Sequence, residues 1–155
     1  MKKIRNNRTF KRHLLDPFLR KISKDIYAEI KLKLRENLKA LVLYGSRIRG
    51  ENYPDSDLDL LIILNYEDRN LNEIIFTICR ELSRKYSVKI DPYVISEDDF
   101  KFGCENLFPF NLGVYLGYYI IFGEELVDES HDYITRAVES GKLKIYPRSG
   151  IFIQR

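Results

Sequence analysis

The sequence has no tryptophan and few sulfur-containing residues, with one methionine and two cysteines among 155 residues. Cys79 and Cys104 are too few for a disulfide framework in a chain of this length. Neither stands in a C-x-x-C or zinc-ligand spacing. We therefore expect free, mostly buried thiols in a reducing compartment, which favours a cytoplasmic protein.

Long apolar runs are also missing. The longest, residues 60–64 and 114–122, fall far short of the about 20 residues that a membrane-spanning helix requires. The first residues are basic and lack the apolar core of a secretory signal. With 45% hydrophobic and 32% charged residues, the composition is typical of one globular domain without a membrane partner.

The charges are unevenly distributed, although the formal net charge is only +3. Residues 1–40 hold 13 Lys/Arg against 4 Asp/Glu, residues 41–140 hold 9 against 19, and residues 141–155 hold 4 against none. An acidic centre therefore lies between two basic ends. This pattern favours a cation or substrate site in the middle of the chain and an interaction surface at its start.

Residues 1–15 carry six basic side chains in the first twelve positions and little apolar pattern, so we expect a basic N-terminal arm. Residues 16–155 form the predicted folded domain. Asp16-Pro17 predicts a helix start, with Asp at the N-cap and Pro at the first helical position. The apolar residues that follow recur every four positions and predict a six-turn amphipathic helix: Phe18, Ile22, Ile26, Ile30, Leu34 and Leu38.

Short apolar runs predict strands at 40–44, 58–64 and 88–95, and residues 118–122 favour an edge strand. Residues 71–86 have helical periodicity, residues 97–117 are predicted to be helical or irregular, and residues 130–140 read as a final helix closed by Gly141. The order of these elements predicts an α/β (α+β) fold, with a small mixed β-sheet covered by helices.

The chemistry is concentrated after the first two strands. Gly45-Ser46 follows a buried strand, where backbone N–H groups and a hydroxyl suit a phosphate. Asp57 and Asp59 alternate with Leu58, so both carboxylates point to one face of the second strand. Adjacent carboxylates repel each other unless a cation neutralises them, and hard oxygen ligands favour magnesium, with manganese as an alternative. The pattern indicates metal-assisted handling of a nucleoside triphosphate.

A third acid is expected on the third strand. Asp91 is the best candidate, because Val88, Ile90 and Val94 then face the core while Asp91 faces the same cleft as Asp59. It would complete the metal site and take the proton from an acceptor hydroxyl as general base. Pro92 suggests that this strand is an edge or is bent, with Asp98 and Asp99 as weaker substitutes.

Three simpler interpretations of these residues compete with a site for metal and nucleoside triphosphate. Residues 55–59 resemble the start of a calcium loop, but Leu60 and Tyr66 occupy the positions of the required Gly and Glu. Gly45 and Gly50 have the spacing of a P-loop, but Glu51-Asn52 follow where Lys and Ser/Thr are needed. A surface turn with acids at the mouth of a strand is the third. It does not explain why both motifs border buried apolar runs.

At these residues the sequence resembles the minimal nucleotidyltransferases of the DNA polymerase beta-like superfamily, including those of HEPN/MNT toxin–antitoxin systems. The resemblance rests on Gly45-Ser46-Arg47-Ile48-Arg49-Gly50 and Ser56-Asp57-Leu58-Asp59-Leu60, and extends less specifically over residues 18–125. It implies the polymerase beta-like fold. Ile48 replaces the family's usual alanine, and the N-terminal arm has no counterpart in the minimal core.

The resemblance also implies roles for individual residues. Asp57, Asp59 and Asp91 would hold two magnesium ions, and Gly45 and Ser46 would hold the triphosphate. Arg49 matches a basic position near the phosphates, and Ser56 of the second motif is placed with these nucleotide-binding residues. The side chain of Arg47 occupies a variable position and is expected to be solvated.

The implied reaction moves a nucleoside monophosphate, most often AMP from ATP, to an acceptor hydroxyl and releases pyrophosphate. The resemblance suggests a tyrosine of a HEPN-type partner toxin as the acceptor. Transfer to a small molecule or to RNA held by the basic arm, and a non-catalytic binding module, remain as alternatives. His13 and His131 have no partner spacing and are interpreted as non-catalytic. Tyr115, Tyr118 and Tyr119 are interpreted mainly as packing residues.

Overall fold

A computed structural model describes residues 16–50, 56–146 and 150–153 of the chain. The basic arm predicted at residues 1–15 lies outside the described residues. The elements, in chain order, are α1 (Pro17–Leu34), a 3-10 turn (Arg35–Asn37), β1 (Leu38–Tyr44), β2 (Leu58–Leu64), α2 (Arg69–Tyr86), β3 (Ile90–Ser96), α3 (Glu97–Glu105), α4 (Pro109–Tyr115), β4 (Tyr118–Phe122), α5 (Glu124–Glu139), β5 (Leu143–Tyr146) and β6 (Gly150–Ile153).

The first helix begins where the sequence predicted and ends earlier. The Asp16 carboxylate accepts a hydrogen bond from the Phe18 backbone N–H at 2.8 Å, and Pro17 is the first helical residue. The prediction that the helix reaches Leu38 is wrong, because Arg35 adopts a positive φ of 49° and ends the helix. Leu38 instead begins β1.

Four strands form a mixed sheet in the order β3-β2-β1-β4. β1 pairs antiparallel with β2 and with β4, whereas β2 pairs parallel with β3, to which it is connected through α2. Within the described residues β3 and β4 are the edges, which confirms the predicted edge strand at 118–122 and agrees with Pro92 in β3. This is the predicted small mixed sheet.

Side chains that alternate along the strands supply two hydrophobic cores, one on each face of the sheet. Helices α1 and α2 cover the face that carries Leu58, Leu60 and Ile62. Helices α3, α4 and α5 cover the opposite face, which carries Leu61 and Ile63. The result is a three-layer α/β/α arrangement in which Asp59 shares its face with the second core.

Several boundaries differ from the predictions. The last helix begins at Glu124 rather than Ser130, after Gly123 in a left-handed conformation. Residues 97–117, predicted to be helical or irregular, contain two helices. The antiparallel β5–β6 hairpin was not predicted. None of the described helices is long and apolar enough to cross a membrane.

Candidate active site

A tight turn follows β1 and brings its backbone against the acids of β2. The backbone N–H groups of Ile48 and Arg49 both donate to the Gly45 carbonyl, at 3.1 and 3.0 Å. Gly45 has φ +92°, and a Cβ at this position would overlap the Asp59 carboxylate. Glycine is therefore required here for two reasons, the left-handed backbone and the close approach of Asp59.

The structure brings the three predicted acids to one end of the sheet. Asp57 directly precedes β2, and Asp59 follows the fully buried Leu58. Asp59 lies opposite Asp91 in the parallel β2–β3 register. Because register partners in neighbouring strands share a face about 4.8 Å apart, the predicted juxtaposition of Asp59 and Asp91 is present in the structure.

The same row continues across the sheet with two tyrosines. Tyr44 is the register partner of Asp59, and Tyr118 is the register partner of Tyr44. The pKa of the Tyr44 phenol is raised by burial and, to a smaller extent, by the negative charges of Asp59 and Asp91. Tyr44 therefore stays a neutral phenol beside the carboxylates.

Asp59 lies in a negative environment. Its pKa is raised mainly by burial, and next by the charges of Asp91 and Asp57, while the positive charge of Arg49 acts in the opposite direction. Three carboxylates at one end of a sheet, one of them partly buried, favour binding of a cation. Carboxylate oxygens are also the donors that magnesium and manganese prefer. In charge and donor type, these residues fit a divalent metal.

The side chains of the three acids do not converge on one metal position. Across residues 16–50, 56–146 and 150–153, no group of three His, Cys, Asp or Glu side chains has the arrangement of a metal site. Asp57 instead pairs with Lys89, with 3.7 Å between Oδ2 and Nζ. This pair is exposed and contributes little free energy, so a cation can displace Lys89 at small cost.

Two arginines of the turn have defined positions. The aliphatic part of Arg49 lies on Gly117, where an added Cβ would approach Arg49 Cγ to 2.6 Å. Arg49 therefore stays on the β4 side of Asp59. Arg47 was expected to be solvated, and that expectation is wrong. Its Nη1 donates to the Ser56 carbonyl at 3.1 Å, and its guanidinium lies 5.6 Å from the centre of the Phe18 ring.

Three aromatic rings beside the acids were missed in the sequence. Tyr93 stacks on Phe110 with ring centres 4.2 Å apart and planes at 22°. Phe110 in turn meets Tyr44 edge to face at 5.7 Å. Tyr93 is 45% exposed. Tyr93 lies two residues after Asp91 on the same strand. The two-residue period of a strand therefore places both side chains on one face, and this pattern could have identified Tyr93 from the sequence.

His131 and the tyrosines that were predicted to pack lie within the two cores. His131 is buried among the rings of Phe100, Tyr115 and Tyr118, at 5.9, 5.3 and 4.6 Å between ring centres. Tyr119 packs on the opposite face of the sheet. The predicted tyrosine cluster is thus divided between the two cores.

Known proteins share sequence with this chain. Residues 28–104 match the family model "Polymerase beta, Nucleotidyltransferase". The chain is 32% identical to "Putative protein adenylyltransferase MJ0604" of Methanocaldococcus jannaschii over 52% of this chain and 76% of that protein. It is 29% identical to "Putative protein adenylyltransferase MJ1305" of the same organism, over 73% and 72%.

A solved structure was also found, the crystal structure of a toxin–antitoxin with AMP-PNP. The superposition has a TM-score of 0.48 at 13% identity and covers 76% of this chain and 90% of that chain.

Proposed function

The chain belongs to the polymerase beta nucleotidyltransferase family, and from that premise we propose that it transfers AMP from ATP to a hydroxyl of an acceptor and releases pyrophosphate. In this reaction the acceptor oxygen forms a bond to the α-phosphorus. The bond between the α-phosphorus and the bridging oxygen breaks, and the electron pair leaves with pyrophosphate.

One observation carries the proposal: Asp59 and Asp91 face each other in register, next to the Gly45 turn. A partly buried carboxylate pair is costly for a fold, because each charge raises the free energy of the other. Such a pair beside a glycine turn therefore favours a site that binds a cation and a phosphate together. That combination is what nucleotidyl transfer needs.

Magnesium is the cation that we propose for this site. Asp57, Asp59 and Asp91 would hold it, as one or two ions, and manganese has the same oxygen preference. When bound, a divalent ion neutralises developing phosphate charge and lowers the pKa of a nearby hydroxyl.

The chain's own groups have distinct tasks in this proposal. The turn at Gly45 and Ser46 binds the triphosphate through its backbone N–H groups and the Ser46 hydroxyl, and Ser56 belongs to the same nucleotide-binding set. Arg49 offsets the negative charge of the leaving pyrophosphate from the β4 side. A carboxylate oxygen of Asp91, on the outer side of Asp59, accepts the proton of the acceptor hydroxyl.

For the acceptor, we propose a tyrosine of a partner protein. The two relatives from Methanocaldococcus jannaschii carry names as protein adenylyltransferases. The sequence motifs resemble the minimal enzymes that modify a HEPN-type partner toxin.

The test follows AMP transfer from ATP radiolabelled at the α-phosphate, with magnesium and a purified HEPN-type protein as the acceptor. We expect label on the partner. The double variant Asp57→Asn plus Asp59→Asn should lose transfer by at least about a hundredfold, since it removes two of the three acids.

A matched control is the double variant Asp98→Asn plus Asp99→Asn. These acids lie in the first turn of α3, are exposed, and should leave transfer unchanged. Transfer that persists at the wild-type rate in the Asp57/Asp59 variant contradicts the proposal. So does an absence of ATP–magnesium binding in calorimetry.

A further inference from the structure

Tyr93 and Phe110 form a stacked pair beside the acids, which we call the aromatic wall. We propose that the aromatic wall binds the acceptor and positions it, by contacting an aromatic ring that carries the attacking hydroxyl. This inference rests on the proposed nucleotidyl transfer. It adds which residues of this chain determine the specificity for the acceptor.

The position of the wall relative to the turn supports this role. In an in-line displacement the attacking and leaving oxygens lie on opposite sides of the phosphorus. Gly45 and Arg49 lie on the β1 and β4 side of Asp59, which is the side proposed for the pyrophosphate. The acceptor must then approach from the β3 side. Asp91 and Tyr93 both belong to β3 and share a face.

The free edge of β3 gives a second reason. The Lys89 carbonyl accepts from the Leu58 N–H on β2, so Ile90 and Pro92 direct their backbone groups away from β2. The outward Ile90 N–H already donates to Ser83 Oγ at 2.9 Å, and Pro92 has no N–H. An extended peptide therefore finds no backbone donor on this edge beside Asp91, which disfavours strand addition there and favours an approach over the wall.

The wall is rigid and partly open. Phe110 is held on α4 between Tyr93, at 4.2 Å, and Tyr44, at 5.7 Å. Tyr93 still exposes 45% of its surface, whereas Phe100 and Tyr118 on the same face are buried. A preorganised ring with one open flank suits another ring, because stacked and edge-to-face contacts favour aromatic partners over aliphatic ones.

The reaction on the wall is the one already described, with a phenol as nucleophile. The phenolic oxygen of the acceptor bonds to the α-phosphorus, its proton passes to Asp91, and pyrophosphate leaves. Tyr93 and Phe110 touch the acceptor ring and exchange no proton. They are positioning residues, and the hydroxyl of Tyr93 is not needed.

The experiment compares two defined probes as acceptors, N-acetyl-tyrosinamide and N-acetyl-serinamide, in wild type and variants. Tyr93→Ala and Phe110→Ala should raise the KM for the tyrosine probe about three- to tenfold. The KM for ATP and for the serine probe should stay unchanged. Tyr93→Phe keeps the ring and should behave as wild type.

Phe76→Ala is the matched control, because Phe76 is an exposed aromatic residue on α2, on the opposite layer, with 47% of its surface accessible. It should alter neither KM. A raised KM for ATP in Tyr93→Ala, or equal losses with both probes, overturns the proposal, since the wall would then bind the nucleotide or serve the fold alone.

A second readout does not depend on turnover. Protein labelled on its aromatic rings is loaded with magnesium and α,β-methylene-ATP, and the tyrosine probe is titrated in while NMR shifts are recorded. We expect shifts at Tyr93 and Phe110 and none at Phe76. If the nucleotide binds and these rings do not respond, the inference fails. If the nucleotide itself does not bind, the proposed function fails.

Discussion

At the scale of single residues, Gly45 links the turn after β1 to the acid at the start of β2. Its φ of +92° is unfavourable for any side chain, and the Asp59 carboxylate occupies the space that a Cβ would take. The two effects can be measured separately, because the positive φ concerns the backbone of the turn and the missing Cβ concerns the position of the Asp59 carboxylate.

Gly45→Ala should therefore lower both activity and stability. We expect a loss of about 1–3 kcal/mol in the free energy of unfolding from the strained backbone. Displacement of Asp59 should reduce AMP transfer by at least about tenfold. Urea unfolding and the radiolabel assay measure the two effects.

Gly141→Ala is the control that separates strain from contact. Gly141 also has a positive φ, +84°, but a Cβ there meets nothing within 4 Å. This variant should lose a similar amount of stability and keep wild-type transfer. Equal activities of the two variants at equal stability would show that the Gly45–Asp59 contact has no part in the chemistry.

Lys89 competes with the proposed cation for Asp57. The pair is 3.7 Å apart and exposed, so its removal changes the free energy by less than about 1 kcal/mol. Lys89→Met should lower the magnesium concentration for half-maximal transfer by about two- to fivefold. Magnesium titrations of the initial rate measure this shift.

Lys101→Met provides the comparison for Lys89→Met. Lys101 forms an exposed pair with Glu97 at 2.8 Å on α3, away from the acids. Its loss should leave the magnesium dependence as in wild type. A magnesium requirement that rises in Lys89→Met contradicts competition, because it means that Lys89 assists the site.

At the scale of elements, Ser83 connects the end of α2 to the start of β3. Its hydroxyl donates to the Cys79 carbonyl at 2.6 Å and accepts from the Ile90 N–H at 2.9 Å. Ile90 is 4% exposed, so this donor has little access to water. The bond therefore fixes the strand that carries Asp91.

Ser83→Ala should leave the Ile90 N–H unsatisfied and cost about 1–3 kcal/mol in unfolding free energy. Ser140→Ala is the control, since Ser140 Oγ bonds the Ala137 carbonyl at 3.2 Å near the exposed end of α5. Its cost should stay below about 1 kcal/mol. Denaturant unfolding measures both, and equal costs contradict the role of Ser83.

Helices and strands were predicted well where the pattern of apolar and polar residues marks the ends of the element. The Leu58–Leu64 strand was predicted to the residue, because its apolar run is interrupted only by Asp59 and ends at the polar Asn65. The first helix was predicted too long, because Arg35 turns the backbone without a glycine or proline to mark it. The start of α5 was missed although Gly123 and two glutamates mark it. The β5–β6 hairpin is too short for periodicity to separate it from a loop.

The site shows the same division between local and non-local information. The placement of Asp57, Asp59 and Asp91 on one face followed from the two-residue period of strands and the expectation that two strands are neighbours. The stacking of Tyr93 on Phe110 did not, because 17 residues separate them and only the packing of α4 on the sheet brings them together. Whether the three acids bind magnesium stays a prediction.

At the scale of the whole molecule, His131 makes the stability of the second core depend on pH. Both of its ring nitrogens are buried without a partner, and burial lowers its pKa to about 3 from a usual value near 6.5. The folded protein keeps the neutral ring while the unfolded chain binds a proton below about pH 6.5. The contribution to stability is therefore full above pH 6.5 and is lost as the pH falls toward about 3.

Between pH 7.5 and pH 5.0 this residue should remove about 2 kcal/mol from the unfolding free energy, at about 1.4 kcal/mol for each pH unit below 6.5. His131→Leu should flatten this part of the pH dependence. Urea unfolding at the two pH values measures it. The comparison uses the change in unfolding free energy between the two pH values within each protein, so any difference in packing between wild type and variant cancels. An equal pH dependence in both proteins rules out His131 as its source.

The protected edge of β3 has a consequence for how the protein behaves at high concentration. β2 is an almost continuous apolar segment, the type of sequence that pairs with copies of itself when exposed. In the fold β2 is internal, and the strand that shields it presents a proline and an occupied N–H at the end near Asp91. Loss of β3 from the sheet would therefore expose one edge of β2. The Ser83 bond that fixes the start of β3 therefore also helps to keep the apolar β2 covered.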